Sequence, residues 1–303
     1  MEKTKQNKIY FLLAIGVTVI STSGILIKVA KAGPLVIAFY RMLFTILLMT
    51  PLLKKKSFRD QLVYFKEARL ILVGFFLASH FFLWTSAFEY TSVSNAVIFM
   101  ALQPLFTYLL EYFFAREDLR PGIISGIIFA MIGSIIISIG SLSTLFTKVW
   151  GDILAIIAAF FAAAYLFTGR SLRERLDYFP YLFIIYTYAT LFLGILALFT
   201  GQEFSGYDWQ DYLVFLGLAL GPTLIGHSIL NYSVRILPAT LVSLTILLEP
   251  ILTTILAWVI LGEGINRVTL MGGILILFGI YRAIIKNRQG VYNTRTGALK
   301  EIE

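Results

Sequence analysis

The sequence predicts an all-α integral membrane protein whose ten transmembrane helices form two inverted five-helix repeats. Composition is the first reason: 58% of the 303 residues are hydrophobic, 14% are charged, and the mean hydropathy is +0.84. Soluble domains carry nearer to a quarter charged residues. An internal repeat is the second reason, because an offset of 146 residues aligns residues 102–119 with residues 248–265 and Pro104 with Pro250.

The same offset pairs residues of identical type along much of the chain. These pairs are Pro34 with Pro180, Tyr40 with Tyr186, Thr107 with Thr253, Glu117 with Glu263, Gly126 with Gly272 and Gly133 with Gly279. A tandem duplication of long apolar segments predicts a membrane protein with a site at the interface between its repeats.

Ten apolar segments are each about twenty residues long, the length at which a helix crosses the hydrocarbon core of a bilayer. They are residues 9–29, 33–53, 69–89, 92–114, 121–139, 152–170, 180–200, 211–233, 237–261 and 268–286. Five spans per repeat is an odd number, so we expect the second repeat to enter the membrane upside down relative to the first.

Basic residues predict the orientation and the domain organisation. Of the 25 lysines and arginines, 20 fall at the termini and in the loops of one side. The positive-inside rule therefore predicts a multi-pass protein of the cell (inner) membrane with both termini in the cytoplasm. A cleavable signal peptide is the alternative for the N-terminus, but the first apolar run is too long for one. The expected parts are a cytoplasmic N-terminus (1–8), a first five-helix repeat (9–139), an extracytoplasmic linker (140–151), a second five-helix repeat (152–286) and a cytoplasmic tail (287–303).

Charge and cysteine content limit the partners. The net charge of +8 is explained by topology, so no nucleic acid is expected. The absence of cysteine excludes disulfides and thiolate metal sites, and we predict neither a metal nor a cofactor. The expected partners are a small-molecule substrate and the lipid bilayer, and the expected state is a monomer or a weak homodimer.

Three prolines are predicted to kink their helices. Pro104 and Pro250 lie near the middle of the fourth and ninth spans, and Pro222 lies in the eighth. Each removes a backbone hydrogen bond, although a kink that serves packing alone is the alternative. Gln103 and Glu249 directly precede two of these prolines, and we assign both to substrate binding. A carboxylate at mid-membrane is costly and is by default a functional residue.

Polar residues spaced four apart gather on single helix faces. Thr107 follows Gln103 at this spacing in the fourth span, and Asn231 follows His227 in the eighth. Such faces cannot point at lipid without penalty, so we assign Thr107 and Asn231 to substrate binding inside the bundle. The alternative is polar contact between helices, which is worth about 0.6 kcal/mol per contact.

Arg41 is a charged residue inside the second span. Its guanidinium is always charged and requires an anionic partner or water. Glu249, Glu111 and a substrate carboxylate are the candidate partners. We therefore assign Arg41 to substrate binding.

Histidines and aromatic residues complete the predicted site. His80 and His227 lie in the third and eighth spans and titrate near physiological pH, so they and Glu249 are candidates for carrying a coupling proton. Core histidines that are hydrogen-bonded for stability are the alternative. Trp84 and Tyr186 are assigned to substrate binding, with ordinary packing as the alternative.

The two segments that begin at residues 103 and 249 both read [EQ]-P-x12-E, and Pro34 precedes Arg41 with six residues between them. Over residues 9–286 this pattern resembles the EamA-type carriers of the drug/metabolite transporter superfamily. The resemblance implies a ten-helix inverted-repeat fold and movement of small polar metabolites, often export of amino acids, whereas other members carry nucleotide sugars or sugar phosphates. The family's Glu-Pro pair occurs only in the second segment, since the first has Gln-Pro.

The predicted function is secondary active transport of an amino acid or a related small polar metabolite, in the direction of export, by alternating access. The first, third, fourth, sixth, eighth and ninth spans are expected to line the cavity. An exchanger of nucleotide sugars, sugar phosphates or lipid precursors is the alternative. A channel and an intramembrane enzyme are alternatives of a different class, although the chain lacks the H-E-x-x-H and G-x-S-x-G motifs.

Overall fold

A computed structural model describes residues 2–91, 96, 99–116, 121–140, 149–173, 175–261 and 267–300. This described part of the chain is almost entirely helical and contains no β-strand. The α-helices, in chain order, are α1 (Glu2–Ile20), α2 (Ser23–Val29), α3 (Pro34–Met49), α4 (Lys56–Asp60), α5 (Ala68–Tyr90), α6 (Gln103–Leu110), α7 (Pro121–Gly140), α8 (Val149–Leu172), α9 (Tyr178–Phe199), α10 (Trp209–Leu218), α11 (Ser228–Ser233), α12 (Ala239–Thr245), α13 (Glu249–Leu261) and α14 (Arg267–Lys300).

Five further segments have other helical geometries. Three are 3₁₀-helices, at Thr50–Lys54, Gln61–Lys66 and Ile246–Leu248. Two are π-helices, at Glu111–Ala115 and Ala219–His227. Wide π turns are rare and often occur at functional sites.

Six segments of the described chain are long and apolar enough to cross a membrane. They are Asn7–Val29, Pro34–Lys54, Ala68–Tyr90, Val149–Leu172, Tyr178–Phe199 and Trp209–Ser233. Helix is also present within the other four predicted spans. The protein is therefore a helical, multi-pass membrane protein, whereas the count of ten spans and their inverted arrangement stay predictions.

The first span is broken where its sequence turns polar. Helix α1 ends at Ile20 and α2 begins at Ser23. Around the break, the hydroxyl of Ser21 donates to the Val17 carbonyl and the hydroxyl of Thr22 donates to the Val19 carbonyl, both at 2.8 Å. Hydroxyl groups that bond nearby carbonyls in this way compensate for lost helical hydrogen bonds.

The main helix contacts join the first half of the chain to the second. Helix α5 packs on α8, α3 packs on α9, and α1 packs on the Ala219–His227 segment. The face of α8 is built from small residues, which allow a close approach of its neighbours in a bilayer. These buried residues are Ala155, Ala158, Ala159, Ala162 and Ala163.

Helices α7 and α14 cross through glycines. A Cβ atom placed at Gly133 would lie 2.5 Å from the carbonyl oxygen of Gly272, and one placed at Gly279 would lie 2.5 Å from that of Gly126. Gly133 and Gly279 are themselves partners in the sequence repeat, as are Gly126 and Gly272. The crossing is therefore reciprocal, as contacts between two copies related by a two-fold axis are.

Candidate functional site

A small cavity in the middle of the bundle brings together six of the residues assigned from the sequence. These are Arg41, His80, Trp84, Gln103, His227 and Glu249. The rest of the lining consists of Ile20, Ser23, Phe81, Met100 and Ile246. The centre of a water-sized sphere can occupy about 30 Å³ of this cavity, which is room for roughly two water molecules.

Arg41 projects from α3 and is only 3% exposed. Its Nε donates to the Thr223 hydroxyl at 2.6 Å and its Nη1 donates to the Ser23 hydroxyl at 3.3 Å. The guanidinium carbon lies 4.0 Å from the centre of the Phe81 ring. Among the described residues Nη2 has no hydrogen-bond partner. The break in the first span and the π turn of the eighth thus supply two neutral ligands, and one donor of the cation stays unused.

Glu249 is the first residue of α13, directly after the Ile246–Leu248 turn, and is 8% exposed. It faces the same cavity as Arg41. The two ion pairs within 4.0 Å in the described part of the chain are Lys31–Asp208 and Arg170–Glu111. Arg41 and Glu249 therefore line one small cavity with opposite charges and do not pair directly with each other.

The two histidines lie next to each other on the cavity wall. Their ring centroids are 6.4 Å apart, and Phe81 contacts both rings. His80 Nδ1 lies 3.0 Å from the carbonyl oxygen of Ala158 in α8. Because a carbonyl can only accept, Nδ1 carries the proton in the neutral ring. The sixth span thus contacts His80 through the Ala158 carbonyl and contributes no lining residue among those described. The sequence instead predicts that this span lines the cavity.

Interruptions of regular helix accompany all three prolines. Pro104 is the second residue of α6, after a turn at residues 101–102, and Pro250 is the second residue of α13. Pro222 lies inside the Ala219–His227 π-helix. Met100 and Ile246, each four residues before a proline, both line the cavity. Irregular backbone at membrane depth is tolerated where it is buried in protein or lines a cavity.

Three residues assigned to substrate binding do not line the cavity. The hydroxyl of Thr107 donates to the Gln103 carbonyl at 2.8 Å, so it is engaged with its own helix. Tyr186 is fully buried in α9. Asn231 is also fully buried, but it faces a separate polar cluster.

This separate cluster is centred on Arg173, which sequence reasoning placed with the basic loop residues. Arg173 is fully buried, and its Nη1 donates to Asn231 Oδ1 at 2.6 Å and to the Tyr181 hydroxyl at 3.2 Å. Its Nη2 donates to the Leu166 carbonyl at 2.8 Å. Asn231 Nδ2 in turn donates to the carbonyl of His227 at 2.8 Å, which links the cluster to the cavity wall. The sequence signal for this cluster was a glycine near Arg173, Gly169. A Cβ atom at Gly169 would collide with the Tyr181 hydroxyl.

Glu111 is not the partner of Arg41, which corrects one of the expectations above. Its carboxylate accepts the backbone N–H of Ala239 at 2.8 Å and that of Thr240 at 3.2 Å, and also the Thr240 hydroxyl. Arg170 Nη1 approaches it at 3.3 Å. Glu111 therefore caps the N-terminus of α12, where a carboxylate is favoured by the helix dipole. Glu117 and Glu263, which belong to the repeat pattern, lie outside the described residues.

The opposite end of the bundle is closed by contacts between residues 31–40 and 204–211. Lys31 Nζ lies 2.9 Å from Asp208 Oδ2, and the Lys31 backbone N–H donates to Asp211 Oδ1 at 2.8 Å. The hydrogen bond and the charge of Asp208 raise the pKa of the exposed Lys31 ammonium. The Tyr40 hydroxyl donates to the Phe204 carbonyl. Glu111 and Arg173 make their contacts at the other end of the bundle.

Comparison with known proteins yields one family and several relatives. The EamA-like transporter family matches the chain twice, over residues 7–139 and 149–285. An uncharacterized transporter of Archaeoglobus fulgidus is 25% identical over 93% of this chain and 99% of its own length. The uncharacterized inner membrane transporter YhbE of Escherichia coli is 29% identical over 73% of this chain and 70% of its own. A protein of known crystal structure is similar with a TM-score of 0.76 over 93% of this chain and 98% of that one, and its 17% identity indicates a shared fold alone.

Proposed function

Because the chain belongs to the EamA-like transporter family, we propose that it is a secondary active carrier that exports a small zwitterionic metabolite, an amino acid or a close relative. The observation that carries this proposal is the pair of opposite charges that line one small cavity. Arg41 keeps an unused donor, and Glu249 is not paired with it. A substrate carboxylate would bind Arg41 and its ammonium would bind Glu249, so that each buried charge gains a partner only when substrate is present.

The charge balance of the lining favours a zwitterion over a phosphate compound. Among the described residues that line the cavity, Arg41 is the one arginine or lysine, and Glu249 supplies a negative charge. A sugar phosphate or nucleotide sugar brings about two negative charges and would face Glu249 without a second fixed cation. Such substrates therefore rank second.

The size of the cavity supports alternating access. Space for roughly two waters does not admit an amino acid, so substrate entry requires one end of the bundle to open. The reciprocal crossing of α7 and α14 supports a ten-helix bundle of two inverted repeats, in which the two ends open by equivalent motions. On this proposal one state breaks the contact of Glu111 with Ala239 and that of Arg173 with Asn231. The other state breaks the contact of Lys31 with Asp208.

Proton coupling is proposed to use the two histidines and Glu249. His80 is held in one tautomer by the Ala158 carbonyl, and His227 stands between it and the Arg173 cluster through the bond of its carbonyl to Asn231. A proton on either ring would repel Arg41 and favour departure of the bound ammonium group. Glu249 supplies the acid that alternates between proton and substrate.

The test is counterflow in liposomes that contain the purified full chain, with a panel of labelled amino acids at two pH values. We expect saturable, pH-dependent counterflow of at least one of them. Arg41→Gln and Glu249→Gln should each reduce it by about 30-fold or more, because a buried charge pair is worth at least about 2 kcal/mol. Arg235→Gln and Glu203→Gln make the same changes at exposed positions and should leave the rate unchanged.

Three outcomes would contradict the proposal. No counterflow by any amino acid, in liposomes in which a known carrier works, would refute the amino-acid assignment and favour phosphate compounds. Ohmic current without saturation would indicate a channel. Intact counterflow in both Arg41→Gln and Glu249→Gln would mean that substrate binds elsewhere.

A further inference from the structure

A second and larger cavity lies at the end of the bundle that carries the basic loops. It has a volume of about 510 Å³, within the range of about 300–1,000 Å³ that is common for small-molecule sites. Among the described residues, none lines both this cavity and the central one. Its lining is Arg69, Leu72, Phe114, Ala115, Phe167, Thr168, Arg170 and Ser171.

Three spans meet at this cavity, each at its end. Arg69 is in the first turn of α5, Phe114 is in the Glu111–Ala115 π-helix, and Arg170 is in the last turn of α8. On the spans predicted from the sequence, these positions lie where helices leave the hydrocarbon core. Leu72 is 43% exposed and Phe114 is 74% exposed, so the cavity is bordered by apolar side chains that face outward.

The polar groups of the cavity are cationic or neutral donors. The cavity is lined by the guanidinium groups of Arg69 and Arg170 and by the hydroxyls of Thr168 and Ser171. No acidic side chain is among the described lining residues. Planar guanidinium groups bind phosphate oxygens through paired N–H donors. Basic pockets between transmembrane helices at the cytoplasmic surface bind the headgroups of anionic lipids.

We propose that this cavity binds the headgroup phosphate of an anionic phospholipid. Arg69 and Arg170 hold the phosphate, the hydroxyls of Thr168 and Ser171 donate to its remaining oxygens, and the acyl chains run along Leu72 and Phe114. The cavity combines fixed cations with outward-facing apolar side chains. This combination favours a lipid over a soluble anion, because a soluble anion has no acyl chain to contact the apolar side chains. The proposal depends on membrane insertion of the chain and not on the substrate of the central cavity.

The position of Arg170 ties this site to the bundle interior. Its Nη1 lies 3.3 Å from Glu111 Oε1, and Glu111 caps the N-terminus of α12. The side chain of Arg170 is 28% exposed, which leaves it accessible to a headgroup. A bound lipid should therefore stabilise the chain by fixing the cation that neutralises Glu111.

Native mass spectrometry of the purified chain in neutral detergent tests this site. Phosphatidylglycerol and phosphatidylcholine are added separately, and bound lipids are counted. We expect phosphatidylglycerol to bind the unmodified chain more tightly than phosphatidylcholine does. Arg69→Gln should weaken phosphatidylglycerol about five-fold, the equivalent of about 1 kcal/mol for one cation near the surface. Arg235→Gln removes a charge from another exposed position and should not weaken it.

A second variant and a thermal assay complete the design. Ser171→Asp places a negative charge in the cavity and should weaken phosphatidylglycerol binding more than Arg69→Gln does, while Arg69 keeps its charge. Equal loss in Arg69→Gln and Arg235→Gln would overturn the proposal in favour of diffuse surface charge. Equal binding of both lipids would overturn it as well. If inorganic phosphate alone raised the unfolding temperature as much as phosphatidylglycerol does, the cavity would bind a soluble anion and the lipid assignment would be wrong.

Discussion

Replacing Gly133 with alanine should separate helices α7 and α14. The added Cβ would lie 2.5 Å from the carbonyl oxygen of Gly272 and 2.8 Å from Cγ1 of Ile276. Ordinary Cβ contacts begin at about 3.4 Å. Because a carbonyl oxygen in a helix cannot rotate away, the two helices have to move apart. The reciprocal contact between Gly126 and Gly279 joins the same two helices and would loosen with it.

The expected magnitude comes from a comparison within the same helix pair. Overpacking of this kind costs about 1–3 kcal/mol, whereas alanine is favoured over glycine inside a helix by about 1 kcal/mol. Gly273 is the matched control, because a Cβ there would lie 3.7 Å from Ile251, an ordinary contact. Gly273→Ala should therefore be neutral or stabilising. The difference between Gly133→Ala and Gly273→Ala isolates the clash, because both exchange a helical glycine for alanine.

The assay is unfolding of the purified variants in detergent, followed by the loss of helical circular dichroism. We expect the free energies of unfolding of Gly133→Ala and Gly273→Ala to differ by about 1–3 kcal/mol, with Gly133→Ala below the unmodified chain by up to about 2 kcal/mol. Gly279→Ala should behave like Gly133→Ala, since its Cβ would meet the Gly126 carbonyl oxygen at 2.5 Å. Equal shifts of the same sign in Gly133→Ala and Gly273→Ala would refute the reasoning, because the crossing would then have room for a methyl group.

Three further predictions concern polar contacts. Glu111→Gln removes the charge that caps α12 and should lower the free energy of unfolding by about 1–3 kcal/mol, measured by the same unfolding assay. Asn231→Leu leaves the fully buried Arg173 without its 2.6 Å acceptor and should lower it by about 1.5–3 kcal/mol. Lys31→Met should shift the unfolding midpoint slightly and equally at mildly acidic and mildly alkaline pH. The reason is that a raised lysine pKa keeps this contribution fully present below the ordinary value of 10.5, and it is lost only as pH rises above that value.

Each of these predictions has its own control. Glu203→Gln makes the same change as Glu111→Gln at an exposed residue, and an equal effect of the two would contradict capping. Adding Arg173→Met to Asn231→Leu should restore part of the lost stability, because both partners are then apolar. No restoration would mean that the loss had another cause. A shift for Lys31→Met that grew with added salt would contradict an exposed ion pair, which salt screens.

The sequence was sufficient to predict most of the helical segments and six of the cavity residues. Charged and polar side chains are costly in contact with hydrocarbon. The sequence therefore predicted that Arg41, His80 and Glu249 lie together inside the bundle. Their assigned roles remain predictions. What the sequence could not supply was the pairing between helices, which depends on rotations and distances that no residue pattern states.

Two residues show what this reasoning could not predict. Spacing by four correctly put Thr107 on the face of Gln103, but its hydroxyl bonds the Gln103 carbonyl within the helix, a choice made by a side-chain rotamer. Arg173 lies near the end of a span and was grouped with the loops by its charge alone. Its burial depends on the space left by Gly169 and on an acceptor from Asn231, in another helix.

The reciprocal glycine crossing bears on how the chain is synthesised. Helix α7 is synthesised and inserted well before α14. The glycine face of α7 therefore enters the membrane before its partner helix is present. Because Gly126 meets Gly279 while Gly133 meets Gly272, the two helices run antiparallel. Two first halves inserted in the same direction place their α7 helices parallel and cannot reproduce this contact, so the crossing favours closure within one polypeptide over pairing of two nascent chains.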